Sequence, residues 1–285
     1  MKKKDELIDD LIALAFAEDI GDGDATTLST IPDDAIGEQQ LLIKEEGILA
    51  GVEMARKVFE RFDPSMTMEV FINDGRHVVP GDIAFKVRGK VRSLLQTERT
   101  MLNIMQRMSG IATVTARYQK ELEGTKAHVL DTRKTTPGMR MLEKEAVALG
   151  GGTNHRIGLF DMILIKDNHV DFAGGIAIAV HEAKSWCEKN QKNLKIEVEV
   201  RNNSEIDEAL NAGVDRIMLD NFSPERTVEA VNRIRKANPK VEIESSGGIT
   251  LENLRAYGEA GVDFISVGAL THSVKGLDMS FKAVK

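Results

Sequence analysis

Residues 131–170 read DTRKTTPGMRMLEKEAVALGGGTNHRIGLFDMILIKDNHV. Five basic side chains stand out in this stretch: Arg133, Lys134, His155, Arg156 and Lys166. Arg133 and Lys134 follow the apolar run His128–Leu130 through Asp131 and Thr132, and Lys166 directly follows the run Met162–Ile165. A basic residue at the C-terminal end of a buried parallel strand is where α/β barrels keep their chemistry. Between the two runs, Gly150-Gly151-Gly152 and Asn154-His155-Arg156 form a loop, and glycine there lets backbone approach a ligand closely. Most lysines and arginines are solvated salt-bridge partners. Cations converging from two strand ends and a glycine loop point instead to a site for a multiply charged anion.

Downstream, the pattern alternates. Apolar strand candidates fall at 128–130, 162–165, 196–200, 217–219, 241–243 and 264–267, with helical patterns at 174–188, 204–212, 224–237 and 251–260. Ser204, Ser223 and Thr250 stand where N-caps belong, and Pro224 at a first helical position. Such alternation specifies a parallel sheet, and its repeated closure a barrel.

Upstream, the rhythm differs. Apolar residues from Leu7 to Ala15 recur at helical spacing, which predicts an amphipathic helix over 5–17, broken by Gly21-Asp22-Gly23-Asp24. Strands are expected at 40–44, 66–72 and 83–91, with a helix at 52–62, giving a small α+β domain ending near residue 92. A long helical pattern over 94–122, weakened at Ser109-Gly110, connects the two regions, and its methionines read as core.

The net charge of -7 argues against a nucleic-acid surface and makes the local cations more conspicuous. One cysteine, Cys187, excludes an intrachain disulfide and fits a reducing, cytoplasmic compartment. The basic start MKKK turns acidic at once, and the apolar run 11–17 is too short for a membrane span.

The strand ends carry the remaining chemistry. In Ile196-Glu197-Val198-Glu199-Val200 the apolar residues alternate with glutamates, so the carboxylates face the barrel interior or its mouth. Glu199 and Asp220 end successive strands and can converge on one hard cation. Magnesium is bound in this way, through one or two carboxylates plus substrate phosphates. Mutual neutralisation with the nearby lysines is an equally good reading of the same residues. Ser246-Gly247-Gly248-Ile249-Thr250 is expected to open a helix after a late strand, a phosphate-binding arrangement that Gly268 on the next strand can complete.

The chain resembles the quinolinate phosphoribosyltransferase family over nearly its whole length. The resemblance rests on Glu18–Thr27 (EDIGDGDATT), Thr97–Thr100 (TERT), Met108–Ala112 (MSGIA), Asp131–Thr135 (DTRKT), Asn154–Arg156 (NHR) and Ile165–His169 (IKDNH). It continues through Glu197–Glu199 (EVE), Leu219–Asn221 (LDN), Ser245–Gly248 (SSGG) and Val267–His272 (VGALTH). It implies an N-terminal α/β sandwich domain over 1–110, to which 270–285 returns, and an open barrel of six to seven parallel strands over 111–269. It implies phosphoribosyl transfer from phosphoribosyl pyrophosphate to quinolinate with decarboxylation. Quinolinate would be held by Thr132, Arg133, His155, Arg156 and Lys166, with Arg99 supplied by the other subunit of a homodimer. Lys134, Glu199, Asp220, Ser246, Gly247, Gly248, Gly268 and His272 would hold phosphoribosyl pyrophosphate and Mg2+, with Lys134, Glu199 and Asp220 as catalytic residues. Arg99 and His272 come from the resemblance alone.

Three other readings share parts of this pattern. Lys134 or Lys166 could form a Schiff base, as in a barrel lyase, although Arg133 and Asp167 make poor neighbours for a desolvated lysine. A phosphate-ligand sensor would leave Glu199 and Asp220 without a task. A paralogue associated with molybdate transport shares much of the sequence.

Overall fold

The computed structural model describes residues 3–284; the first two residues of the basic start and Lys285 lie outside the described residues. The chain runs α1 (Lys4–Asp19), α2 (Ala25–Thr30), β1 (Ile36–Ile43), β2 (Gly47–Ile48), α3 (Val52–Phe62), β3 (Thr67–Val70), β4 (His77–Val78) and β5 (Ile83–Lys90). The long α4 (Val91–Glu121) leads to β6 (His128–Leu130), α5 (Arg140–Leu149), β7 (Ile163–Ile165), α6 (Asp167–Ala173), α7 (Ile176–Lys189) and β8 (Ile196–Val200). Then follow α8 (Asn203–Ala212), β9 (Arg216–Asp220), α9 (Pro224–Ala237), β10 (Glu242–Ser246), α10 (Leu254–Glu259), β11 (Phe264–Ser266), α11 (Ala269–His272) and β12 (Met279–Ala283). Two compact units result. The first comprises residues up to Ala116, Thr135–Gly151 and the chain from Leu270 onward; the second comprises Arg117–Lys134 and Gly152–Ala269.

The first unit is built on an antiparallel sheet of order β12-β1-β5-β3. The chain's last strand pairs with its first, placing Phe281 opposite Leu41. Phe281 thereby stacks with Phe59 of α3 at 6.0 Å, and Phe85 of β5 meets Phe59 edge-on at 6.3 Å. α3 buries Val52, Met54, Ala55, Val58 and Phe59, a helical-period face. Its start is capped from a distance, because the Asp74 carboxylate accepts the Val52 N–H at 2.8 Å. In α1 only Ile8 and Ile12 are buried while Leu14 is 65% exposed, so the apolar stripe is narrower than its spacing predicts. α2 is an element the sequence reading lacks. Its six residues carry no apolar period, and the Asp24 side chain starts it by accepting the Thr27 N–H.

α4 runs unbroken through Ser109-Gly110, against the expectation of a weak point there. Both residues are small because other backbone approaches them. Ser109 Oγ accepts the Ala50 N–H at 2.9 Å and donates to the Ala50 carbonyl at 3.0 Å. A Cβ on Gly110 would lie 2.2 Å from the Lys275 carbonyl oxygen. Packing, not helix propensity, selects these residues.

The second unit is a parallel sheet of order β6-β11-β10-β9-β8-β7. Its strands match the six apolar runs, and an open α/β barrel is what forms. β6 and β7 are consecutive in the chain yet stand at opposite edges. The chain between them leaves for α5, in the first unit, so that sheet edge is not closed by a regular βα step. Instead Thr153 lies beside β6, donating to the Val129 carbonyl at 2.9 Å and accepting from the Asp131 N–H at 3.2 Å. Ser223 caps α9 ahead of Pro224 as expected. The cap of α8 is Asn202 rather than Ser204, and α10 starts after Asn253 rather than at Thr250.

Candidate active site

The strand register sorts the interior of the second unit into polar layers. Glu197 pairs in register with Arg216, which pairs with Glu242; one pleat further on, Glu199 meets Met218, which pairs with Glu244, and two pleats on Ser246 pairs with Asp220. All five β8 residues are buried, with Ile196, Val198 and Val200 on one face and Glu197 and Glu199 on the other. The expected inward direction of the glutamates holds, and it reaches deeper than the mouth.

In the lower layers Arg216 donates to Glu242 at 2.8 Å and to Glu244 at 3.1 Å, and its guanidinium lies 4.4 Å above the Phe264 ring. Ser266 donates to the other Glu244 oxygen. His155 stands above them, with Nε2 3.1 Å from Glu197 and 3.4 Å from Glu244. Its Nδ1 accepts the Arg156 N–H at 2.7 Å, and its own N–H donates to Asp131 at 2.9 Å. Burial opposes the charged imidazole, but the two carboxylates outweigh it and push its pKa up to about 9. Burial first, and the Glu244 charge second, raise Glu197 to about 7.

His155, Glu197 and Glu244 bring metal-ligand atoms within 4.8 Å of one another. Arg216 and Ser266 already stand on Glu244, so the place of a cation is filled by a guanidinium. Arg216→Ala should therefore take the guanidinium away from the fully buried Glu244 carboxylate and cost about 3–5 kcal/mol. Urea unfolding measures it; a loss well under 1 kcal/mol would mean the cluster is not an ionic unit.

The mouth holds most of the predicted site residues. Thr132 Oγ1 accepts the Lys134 N–H at 3.0 Å, a turn that leaves Arg133 and Lys134 exposed. Burial and then the like charge of Arg133 lower the pKa of Arg156, so the two guanidiniums stand within Coulombic range of each other. Lys166 pairs with Glu199, whose carboxylate is only 8% exposed. The half-buried Asp220 accepts from Asn221 Nδ2 at 2.7 Å. Gly247 and Gly248 follow Ser246 with φ of +94° and +61°, left-handed values that glycine adopts without strain. α10 begins six residues after Gly248 and is itself six residues long, so a helix dipole does not add to this loop as expected. Gly268 follows β11. Arg99, exposed on α4, and His272, exposed on α11 with Nδ1 2.6 Å from Ser273 Oγ, belong to the first unit.

Glu199 and Asp220 supply hard oxygen donors from the ends of adjacent strands, the donor set that magnesium takes alongside substrate phosphates. Arg216 and Glu244 were missed as a functional pair. The signal was present, because RIMLD and EIESS alternate with the same period as IEVEV, and Arg216 and Asp220, like Glu242, Glu244 and Ser246, fall on one face of their strand.

Comparison with known proteins adds to this geometry. The family described as the C-terminal domain of quinolinate phosphoribosyl transferase matches residues 111–282, and its N-terminal domain matches residues 24–109. A tobacco (Nicotiana tabacum) protein, quinolinate phosphoribosyltransferase [decarboxylating] 1b, is 45% identical over 95% of this chain and 81% of its own. A Synechocystis protein, probable nicotinate-nucleotide pyrophosphorylase [carboxylating], is 41% identical over 98% of this chain and 93% of its own. The solved structure of nicotinate-nucleotide pyrophosphorylase from Francisella tularensis superposes with a TM-score of 0.92 at 41% identity, covering 100% of this chain and 98% of that one.

Proposed function

The chain belongs to the quinolinate phosphoribosyltransferase family, and from that premise we infer how its barrel mouth performs the family's reaction. It transfers the phosphoribosyl group of phosphoribosyl pyrophosphate to quinolinate, with loss of carbon dioxide, giving nicotinate mononucleotide and pyrophosphate for NAD synthesis. The observation that supports placing quinolinate at this mouth is the like-charged pair Arg133 and Arg156, with Lys166 directly after the end of β7. A dicarboxylate relieves that repulsion, whereas one carboxylate satisfies only part of it.

Arg133, Arg156 and Lys166 hold the two carboxylates and turn the pyridine nitrogen toward the ribose. Thr132 sets the turn that presents Arg133. His155 lies beneath, and its locked ring fixes the backbone that carries Arg156. On the other side, Ser246, Gly247, Gly248 and Gly268 approach the phosphates with backbone. Glu199 and Asp220 would hold magnesium, which when bound would neutralise charge growing on the departing pyrophosphate. Lys134 supplies a further cation to that leaving group, so no protein nucleophile is required. The nitrogen attacks the anomeric carbon as its bond to pyrophosphate breaks, and the ring becomes a pyridinium. The C–CO2 bond beside the nitrogen then breaks, and its electron pair remains on the ring carbon next to the cationic nitrogen. A proton there completes nicotinate mononucleotide. The carboxylate lost must not be held more tightly than the transition state for its loss.

Lys166 and Glu199 pair with each other in this structure, yet the reading gives them different ligands. Quinolinate and magnesium together would separate that pair, one taking the ammonium and the other the carboxylate. Arg99 reaches quinolinate from the partner of a homodimer, and the enzyme acts in the cytoplasm, where the single thiol of Cys187 stays reduced. No described helix is long and apolar enough to cross a membrane. Supplied with magnesium and phosphoribosyl pyrophosphate, the enzyme should form nicotinate mononucleotide and carbon dioxide from quinolinate in equal amounts. Product without carbon dioxide would contradict the reading.

A further inference from the structure

At the end of β9, Asn221 does three things at once. Its side-chain Nδ2 donates to Asp220 Oδ2 at 2.7 Å. Its backbone N–H donates to the Ser246 carbonyl at 2.9 Å, tying the end of β9 to the end of β10. Its φ is +56°, one of two left-handed non-glycine residues among those described. Asparagine is among the few side chains that tolerate this region, and the turn it makes sends its amide back over the next strand. There it meets Gly247. A Cβ on Gly247 would lie 2.2 Å from Asn221 Oδ1 and 2.9 Å from its backbone nitrogen. The glycine is therefore needed for closeness to Asn221 as well as for its own φ of +94°.

We propose that Asn221 is a positioning residue that couples the metal-binding carboxylate of Asp220 to the phosphate-binding loop at Gly247. The inference rests on the magnesium and phosphate roles given above to Asp220 and the 246–248 loop. One amide orients the carboxylate while its oxygen side and backbone set where the loop passes. Metal and phosphate are then presented in one fixed relation to the substrate that bridges them. A hydrogen-bonded partner of a metal-ligating carboxylate commonly changes metal affinity or activity by about 10–100-fold when removed. Quinolinate binds through cations on other strands and should not register the change.

Asn221→Gly keeps the left-handed backbone and deletes only the amide, and Asn221→Asp keeps the size but replaces the donor by a second carboxylate. Calorimetric titration with phosphoribosyl pyrophosphate and magnesium, and separately with quinolinate, reads both ligands without turnover. Both variants should bind phosphoribosyl pyrophosphate with magnesium about 10–100-fold more weakly and show a raised KM for it. Their quinolinate affinity and Tm should match the parent. Parental affinity for phosphoribosyl pyrophosphate in Asn221→Gly would overturn the proposal, as would equal loss for both ligands. Asp220→Asn, measured alongside, separates two failures. If it binds like the parent, the metal site is wrong and the coupling falls with it. If it binds weakly while Asn221→Gly binds like the parent, only the coupling is wrong.

Discussion

Asp220→Asn and Glu199→Gln are each expected to lower kcat/KM by about a hundredfold or more, with the magnesium concentration at half-saturation displaced upward. The substitutions preserve shape and remove charge, so the barrel should keep its Tm. The effects should differ in one respect. Glu199 is 8% exposed and paired with Lys166, so Glu199→Gln also leaves that ammonium without its carboxylate. Quinolinate, which needs the ammonium, should then bind no more weakly than to the parent. Among the described residues no lysine is paired with Asp220, and its loss should fall on phosphoribosyl pyrophosphate alone. Either variant titrating with magnesium like the parent would remove that carboxylate from the metal site.

The second large effect concerns two subunits. Arg99 lies on the exposed side of α4 in the first unit, while Arg133, Arg156 and Lys166 lie in the second. With Arg99 acting in the partner's site, Arg99→Ala and Lys134→Ala should each be nearly inactive alone. In a mixed dimer one site carries both lesions and the other none. Subunit exchange between the two inactive variants should restore activity, up to about half the parent's per heterodimer if sites act independently. Heterodimers that form without any recovery would return Arg99 to its own chain.

Much of this was legible in the sequence because parallel strands write their chemistry at one end. Lys166, Asp220 and Ser246 each stand at or just after the last residue of a strand, and the apolar runs before them are the barrel strands. The α2 helix was not legible, since a single capping aspartate and no apolar period announce it. Ser109-Gly110 misled because residues that weaken an isolated helix here admit neighbouring backbone. The buried ionic layer under His155 was half visible. IEVEV showed the alternation, but Arg216 stands one residue before the apolar run that marked its strand, so its inward direction went unread. The N-cap at Thr250 failed for a similar reason, because a turn precedes the helix and no local signal fixes where it begins.

Recognition of two carboxylates on one pyridine ring is the role proposed for Arg133, Arg156 and Lys166 at the barrel mouth. The most direct test measures kcat/KM for quinolinate and for nicotinate side by side, at saturating magnesium and phosphoribosyl pyrophosphate. The cations Arg133, Arg156 and Lys166 should favour quinolinate by at least about a hundredfold, the discrimination a site built to bind a charged group imposes when that group is missing. Equal turnover of nicotinate would contradict it.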